Sequence, residues 1–118
     1  MDVEDFGRVT GRQQTVAGKT VDCFLGIPFA KAPTGDLRFR PPQPLDDDTP
    51  PEFDATTRPA ACYQTIDTAF ESTYVDLWNP NTNMSEDCLY LNVWKPHGGA
   101  DKKAVLVRSL FAFFFFHT

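Results

Sequence analysis

Five prolines fall between residues 28 and 45: Pro28, Pro33, Pro41, Pro42 and Pro44. Proline fixes its own φ, donates no backbone hydrogen and pushes the residue before it out of the helical region. No regular helix can cross this stretch. It is predicted as extended chain and turns, with Gly35-Asp36 a turn signal. If the chain is extended there, Arg38-Phe39-Arg40 places the two arginines on one side and Phe39 on the other.

On the N-terminal side, residues 6–29 read as short strands. Val9-Thr10 and Val16-Ala17 flank polar residues, and Gly18-Lys19 suits a tight turn before Thr20–Gly26. A small antiparallel sheet is predicted. Cys23 stands among Val21, Phe24 and Leu25, where a cysteine reads as a small buried hydrophobe. No histidine is near in sequence to activate it. Residues 46–61 hold three consecutive aspartates beside two prolines and are predicted as a solvated loop that buries nothing.

The most informative stretch runs from Trp78 to Trp94. Its first half, with Asn79, Pro80, Asn81 and Asn83, is turn-rich. Its second half, Cys88 to Trp94, alternates as a strand buried on at least one face would. Cys88 sits at the joint, preceded by Glu86-Asp87. Trp94-Lys95-Pro96-His97-Gly98-Gly99 then reads as a strand end and a hairpin loop.

Composition narrows the partners. The chain has 118 residues and a formal net charge of −5, which argues against nucleic acid or anionic membrane and favours cationic ligands. Its 3 cysteines leave at least one thiol free or intermolecular. No CxxC or HxxH spacing occurs and there are 2 histidines, so neither metal nor cofactor is expected. No signal peptide is visible, since Met1 to Asp5 is acidic where a cationic start would stand. Asn83-Met84-Ser85 fits the N-glycosylation pattern. Residues 108–118 are too short, and carry Arg108, to span a bilayer; Phe113 to Phe116 form an aggregation-prone run.

The strings SEDCLYLNVW at 85–94 and FLGIPFAKAPTGDLRFRPP at 24–42 resemble the type-B carboxylesterase family of α/β-hydrolases. WNPN at 78–81 is similar to its cholinesterase branch. The likeness covers roughly residues 5–107. It implies an α/β fold class: the N-terminal part of an α/β-hydrolase, with a small antiparallel sheet and the first strands of the large mixed sheet, an incomplete domain. Residues 1–107 would be that portion and 108–118 a divergent apolar tail. Ala104 to Val107 would be the next strand, and His97-Gly98-Gly99 a loop and not an oxyanion hole.

The resemblance also implies roles. Cys62 and Cys88 would form a disulfide, which needs an oxidising compartment. Trp78 would present its indole face to a quaternary ammonium group. Asp67 would sit at the gorge rim and attract cations. Arg38 and Glu86 would make a buried structural ion pair. The ligand would be a small cationic or choline-like ester, and the protein extracellular or membrane-associated. The family hydrolyses carboxylic esters. After Val107, however, no glycine follows to build an oxyanion hole, and no Gly-x-Ser-x-Gly elbow occurs. The chain is therefore expected to be inactive alone. The alternative is a non-catalytic, cholinesterase-like adhesion domain, against which WNPN speaks.

Overall fold

The computed structural model describes residues 2–3, 7–46, 52–66, 79–98 and 104–107. Eight strands occur among them: β1 (Asp2–Val3), β2 (Gly7–Thr10), β3 (Arg12–Val16), β4 (Lys19–Pro28), β5 (Glu52–Asp54), β6 (Ala61–Cys62), β7 (Met84–Ser85) and β8 (Tyr90–Pro96). One 3-10 turn, Gly35–Leu37, stands in the proline-rich stretch. The strands form three small sheets, ordered β3-β4-β8, β1-β2-β5 and β6-β7.

The β3-β4 hairpin is antiparallel, with Gln13 opposite Asp22 and Val16 opposite Lys19. Its two turn residues are Ala17 and Gly18, one position earlier than predicted, with φ of 49° and 74°. Positive φ at both central residues gives a turn whose twist matches the flanking strands, and glycine adopts it without steric cost. β4 lies at the centre, paired on its other edge with β8 from Val21↔Pro96 to Pro28↔Tyr90. The ladder skips between Leu25 and Ile27. Gly26 takes φ of 79° there, and its N–H turns to the Asn92 side-chain oxygen at 2.9 Å. A bulge thus keeps its donor satisfied.

Ala55 stitches the first two sheets together. Its carbonyl accepts from Leu25 N at 2.8 Å, and its own N–H donates to the Thr10 carbonyl at 2.7 Å. It is wholly buried, with Val9, Phe24 and Ile27, and Phe53 and Val93 pack against that cluster.

Four expectations are corrected. Residues 46–61 are not merely a solvated loop: Glu52–Asp54 pair in parallel with β2, and Ala55 is core. β2 does not join the antiparallel hairpin, because its neighbours are β1 and β5. β8 is paired on β4 but mostly exposed, with Leu91 40% and Trp94 60% accessible, since no layer among the described residues covers it. Ala104 to Val107 form no strand; Val105, Leu106 and Val107 are exposed, and a strand needs an edge to pair with.

Candidate functional site

The site begins at a covalent bridge. Cys62, at the end of β6, is disulfide-bonded to Cys88, just ahead of β8, with 5.0 Å between their Cα atoms. A short parallel ladder runs beside it. Ala61 is opposite Met84 and Cys62 opposite Ser85, and Ala61 N donates to the Asn83 carbonyl at 2.9 Å. The segment between the cysteines is therefore pinned twice at its base. Asp67 and Trp78 lie outside the described residues, as do Phe70 and Tyr74. The described chain resumes at Asn79 and Pro80, both half-buried.

Against the bridge lies an open groove of about 440 Å³, lined in part by Cys62, Cys88, Asn81, Tyr90, Asn92 and Trp94. Trp94 was expected in a core strand. It instead offers an exposed indole to the groove, a placement that the alternation of β8 alone could not foretell.

Next to the bridge, Arg38 Nε lies 2.5 Å from Glu86 Oε1. The resemblance implied a buried pair, but the Arg38 side chain is 58% exposed and Glu86 34%. The reason is local. Residues 38–40 turn after the 3-10 segment instead of running extended, and Phe39 takes φ of 59° with its ring out in solvent. The Arg38 guanidinium covers that ring, 5.0 Å from its centroid, so the two arginines do not flank Phe39 as an extended chain would place them.

Asp87, next to Glu86, accepts a hydrogen bond from the Tyr90 hydroxyl at 2.8 Å. Its N–H donates to Ser85 Oγ at 3.1 Å. Burial, then the hydrogen bond to Asp87 and its negative charge, push the Tyr90 hydroxyl above the usual tyrosine range.

At the far end of β8, His97 Nδ1 donates to Asp22 Oδ1 at 2.8 Å, and Gln13 Nε2 reaches the same oxygen at 3.2 Å. The ring nitrogen has one in-plane position, so the Gln13 hydrogen goes to the carboxylate although Nδ1 is 2.9 Å away. Lys95 stands 3.6 Å from the other carboxylate oxygen. The hydrogen bond from His97 lowers the Asp22 pKa below the usual carboxylate value, helped by the His97 charge, Gln13 and Lys95 and opposed by desolvation.

The Cys23 thiol is buried, with Gln14 Oε1 and the Val21 carbonyl as its neighbours at 3.9 and 3.8 Å. His97 faces Asp22 and Gln13. Among the described residues no three His, Cys, Asp or Glu side chains are grouped to hold a metal.

Comparison with known proteins places this geometry in context. The chain matches the model of the Carboxylesterase family over residues 2–109. It is 55% identical to "Cholinesterase" of Mus musculus over 91 residues, which is 76% of this chain and 15% of that protein. It is 51% identical to "Acetylcholinesterase" of Gallus gallus over 92 residues, 77% of this chain and 12% of that protein. It is 49% identical to "Acetylcholinesterase" of Electrophorus electricus over 94 residues, 76% of this chain and 14% of that protein. The aligned part is thus a small fraction of each relative's length.

Proposed function

Because this chain belongs to the carboxylesterase family, we propose that it is the opening segment of a cholinesterase-like carboxylic ester hydrolase and that its own task is to hold a cation, not to cleave the ester. The family implies an α/β-hydrolase fold, and small sheets with almost no helix among the described residues suit the N-terminal part of one. Residues 1–107 are the family portion in this reading, and 108–118 a divergent tail.

The observation that carries the proposal is the Cys62–Cys88 bridge, which closes the segment containing Asp67 and Trp78 onto a pinned base. In this reading Trp78 is the residue of that segment that binds a quaternary ammonium group, an indole–cation interaction worth about 0.5–2 kcal/mol. Asp67 is, in the same reading, a carboxylate that raises the encounter rate of cations. The net charge of −5 acts in the same direction. A disulfide also favours an exported protein over a cytosolic one, and among the described residues no helix is long and apolar enough to cross a membrane.

Hydrolysis itself requires an oxyanion hole and an activated serine. The 118 residues contain no Gly-x-Ser-x-Gly. In this reading the segment by itself turns over no choline ester.

The test is ligand-detected NMR of tetramethylammonium with the Trp94→Phe protein and with Trp94→Phe/Trp78→Ala. Loss of the indole face is expected to weaken binding roughly two- to thirtyfold, the factor that corresponds to that energy. Equal binding by the two proteins, or steady turnover of a choline ester by the purified chain, contradicts the proposal.

A further inference from the structure

Asn83-Met84-Ser85 is the one Asn-x-Ser/Thr triplet in the sequence, and the fold treats its two key residues in opposite ways. Asn83 is exposed. Its backbone carbonyl is held by Ala61 N at 2.9 Å. Ser85 is half-buried, paired with Cys62 in the β6-β7 ladder, and its hydroxyl accepts the Asp87 N–H at 3.1 Å. Residues two apart in extended chain are separated by about 6.6 Å. While this ladder stands, Ser85 is held against Cys62 with its hydroxyl engaged by Asp87, which hinders a transferase that must bend the chain to read the asparagine and the hydroxyl together.

We infer that Asn83 is an N-glycan acceptor whose window of modification closes when Cys62 and Cys88 join. Transfer forms a bond from Asn83 Nδ2 to the anomeric carbon of an oligosaccharide carried on a polyprenyl diphosphate. The sugar–phosphate C–O bond breaks, the amide gives up one proton, and polyprenyl diphosphate leaves. The donor is the lipid-linked oligosaccharide of the export route. Once attached, the glycan is compatible with the fold, because the residue that carries it is exposed. Bridge formation and transfer therefore compete for one stretch of chain, since Asn83 lies five residues before Cys88. The expected product is a mixture of modified and unmodified chains.

The inference rests on the exported setting proposed above, so the test supplies that setting directly. The full chain is made in eukaryotic cells behind a cleavable secretory leader, as wild type, Asn83→Gln, Ser85→Ala and the double variant Cys62→Ser/Cys88→Ser. Gel mobility is compared before and after digestion with an N-glycan-removing amidase. A slower, amidase-sensitive band is expected in part of the wild type, lost in Asn83→Gln and Ser85→Ala, and dominant in the cysteine variant. A wild type with no such band still supports the inference if the cysteine variant shows it. Absence of the band from both, its survival in Asn83→Gln, or equal occupancy with and without the cysteines overturns it. Glycan transfer acts on unfolded chain, so a misfolded cysteine variant remains informative.

Discussion

Arg38 Nε meets Glu86 Oε1 at 2.5 Å across a gap of 48 positions in the chain, tying the proline-rich turn to the residue two before the bridged Cys88. The pair is close and yet accessible, and accessibility sets its energy. An exposed pair contributes about 0.2–1 kcal/mol, whereas breaking a buried one costs about 3–5 kcal/mol.

Glu86→Gln is therefore expected to lower stability by under about 1 kcal/mol. Urea unfolding at low and high salt checks it, and the difference from wild type should shrink as salt rises. A loss of several kcal/mol, insensitive to salt, would mean that the pair behaves as a buried one.

The bridge should matter more. It spans 26 residues in sequence, and closing a loop of that length stabilises by roughly 3–4 kcal/mol on the chain-entropy model. Urea unfolding with and without reductant should show an unfolding free energy lower by that amount when the bridge is reduced, read from the midpoint and the slope together. Equal midpoints would place the stabilisation in the β6-β7 ladder alone.

Asp22 supplies a pH signature. Its folded pKa is lowered, first by the hydrogen bond from His97. A carboxyl with a lowered folded pKa stabilises above its unfolded value, about 3.9 for aspartate, and loses that contribution as pH falls through the folded pKa. Asp22→Asn should therefore be less stable than wild type at neutral pH, with the gap closing in acid. The stability difference between the two proteins, followed from pH 7 down through the carboxylate range (about 3.9 for aspartate), checks this. A gap that widens in acid would reverse the assigned sign.

Gly11 tests the packing of the central sheet. A Cβ there would stand 2.5 Å from the Cys23 carbonyl and 2.6 Å from Phe24 Cδ1. The carbonyl belongs to a strand paired on both edges and cannot give way easily. Gly11→Ala is expected to cost about 1–3 kcal/mol, the usual range for overpacking. Thermal unfolding measures it, and an unchanged midpoint would show that β4 yields.

The sequence yields what local rules control. The β3-β4 hairpin follows from polar strands flanking a glycine, and the absence of regular helix between residues 28 and 45 follows from proline chemistry. What could not be read depends on distant partners. Glu52-Phe53-Asp54 looks like loop beside Pro50 and Pro51 and becomes a strand because β2 offers its edge. Ala55 is core because it bonds to Thr10 and Leu25 at once, a relationship with no local signature. β8 shows the converse: its alternation fits a buried strand, but burial needs a second layer, and Trp94 is left facing the groove. The pairing of Cys62 with Cys88 came from family likeness, since spacing among three cysteines does not choose a pair.

The central claim is that a bridged segment holds Trp78 where a cation can rest on it. Tetramethylammonium is titrated into the Trp94→Phe protein, leaving Trp78 as its one indole, while fluorescence is followed with the bridge intact and after reduction and thiol blocking. The account predicts a saturable change with the intact bridge that is lost when residues 62 and 88 are parted. The same response in both states, or no response in either, would contradict it.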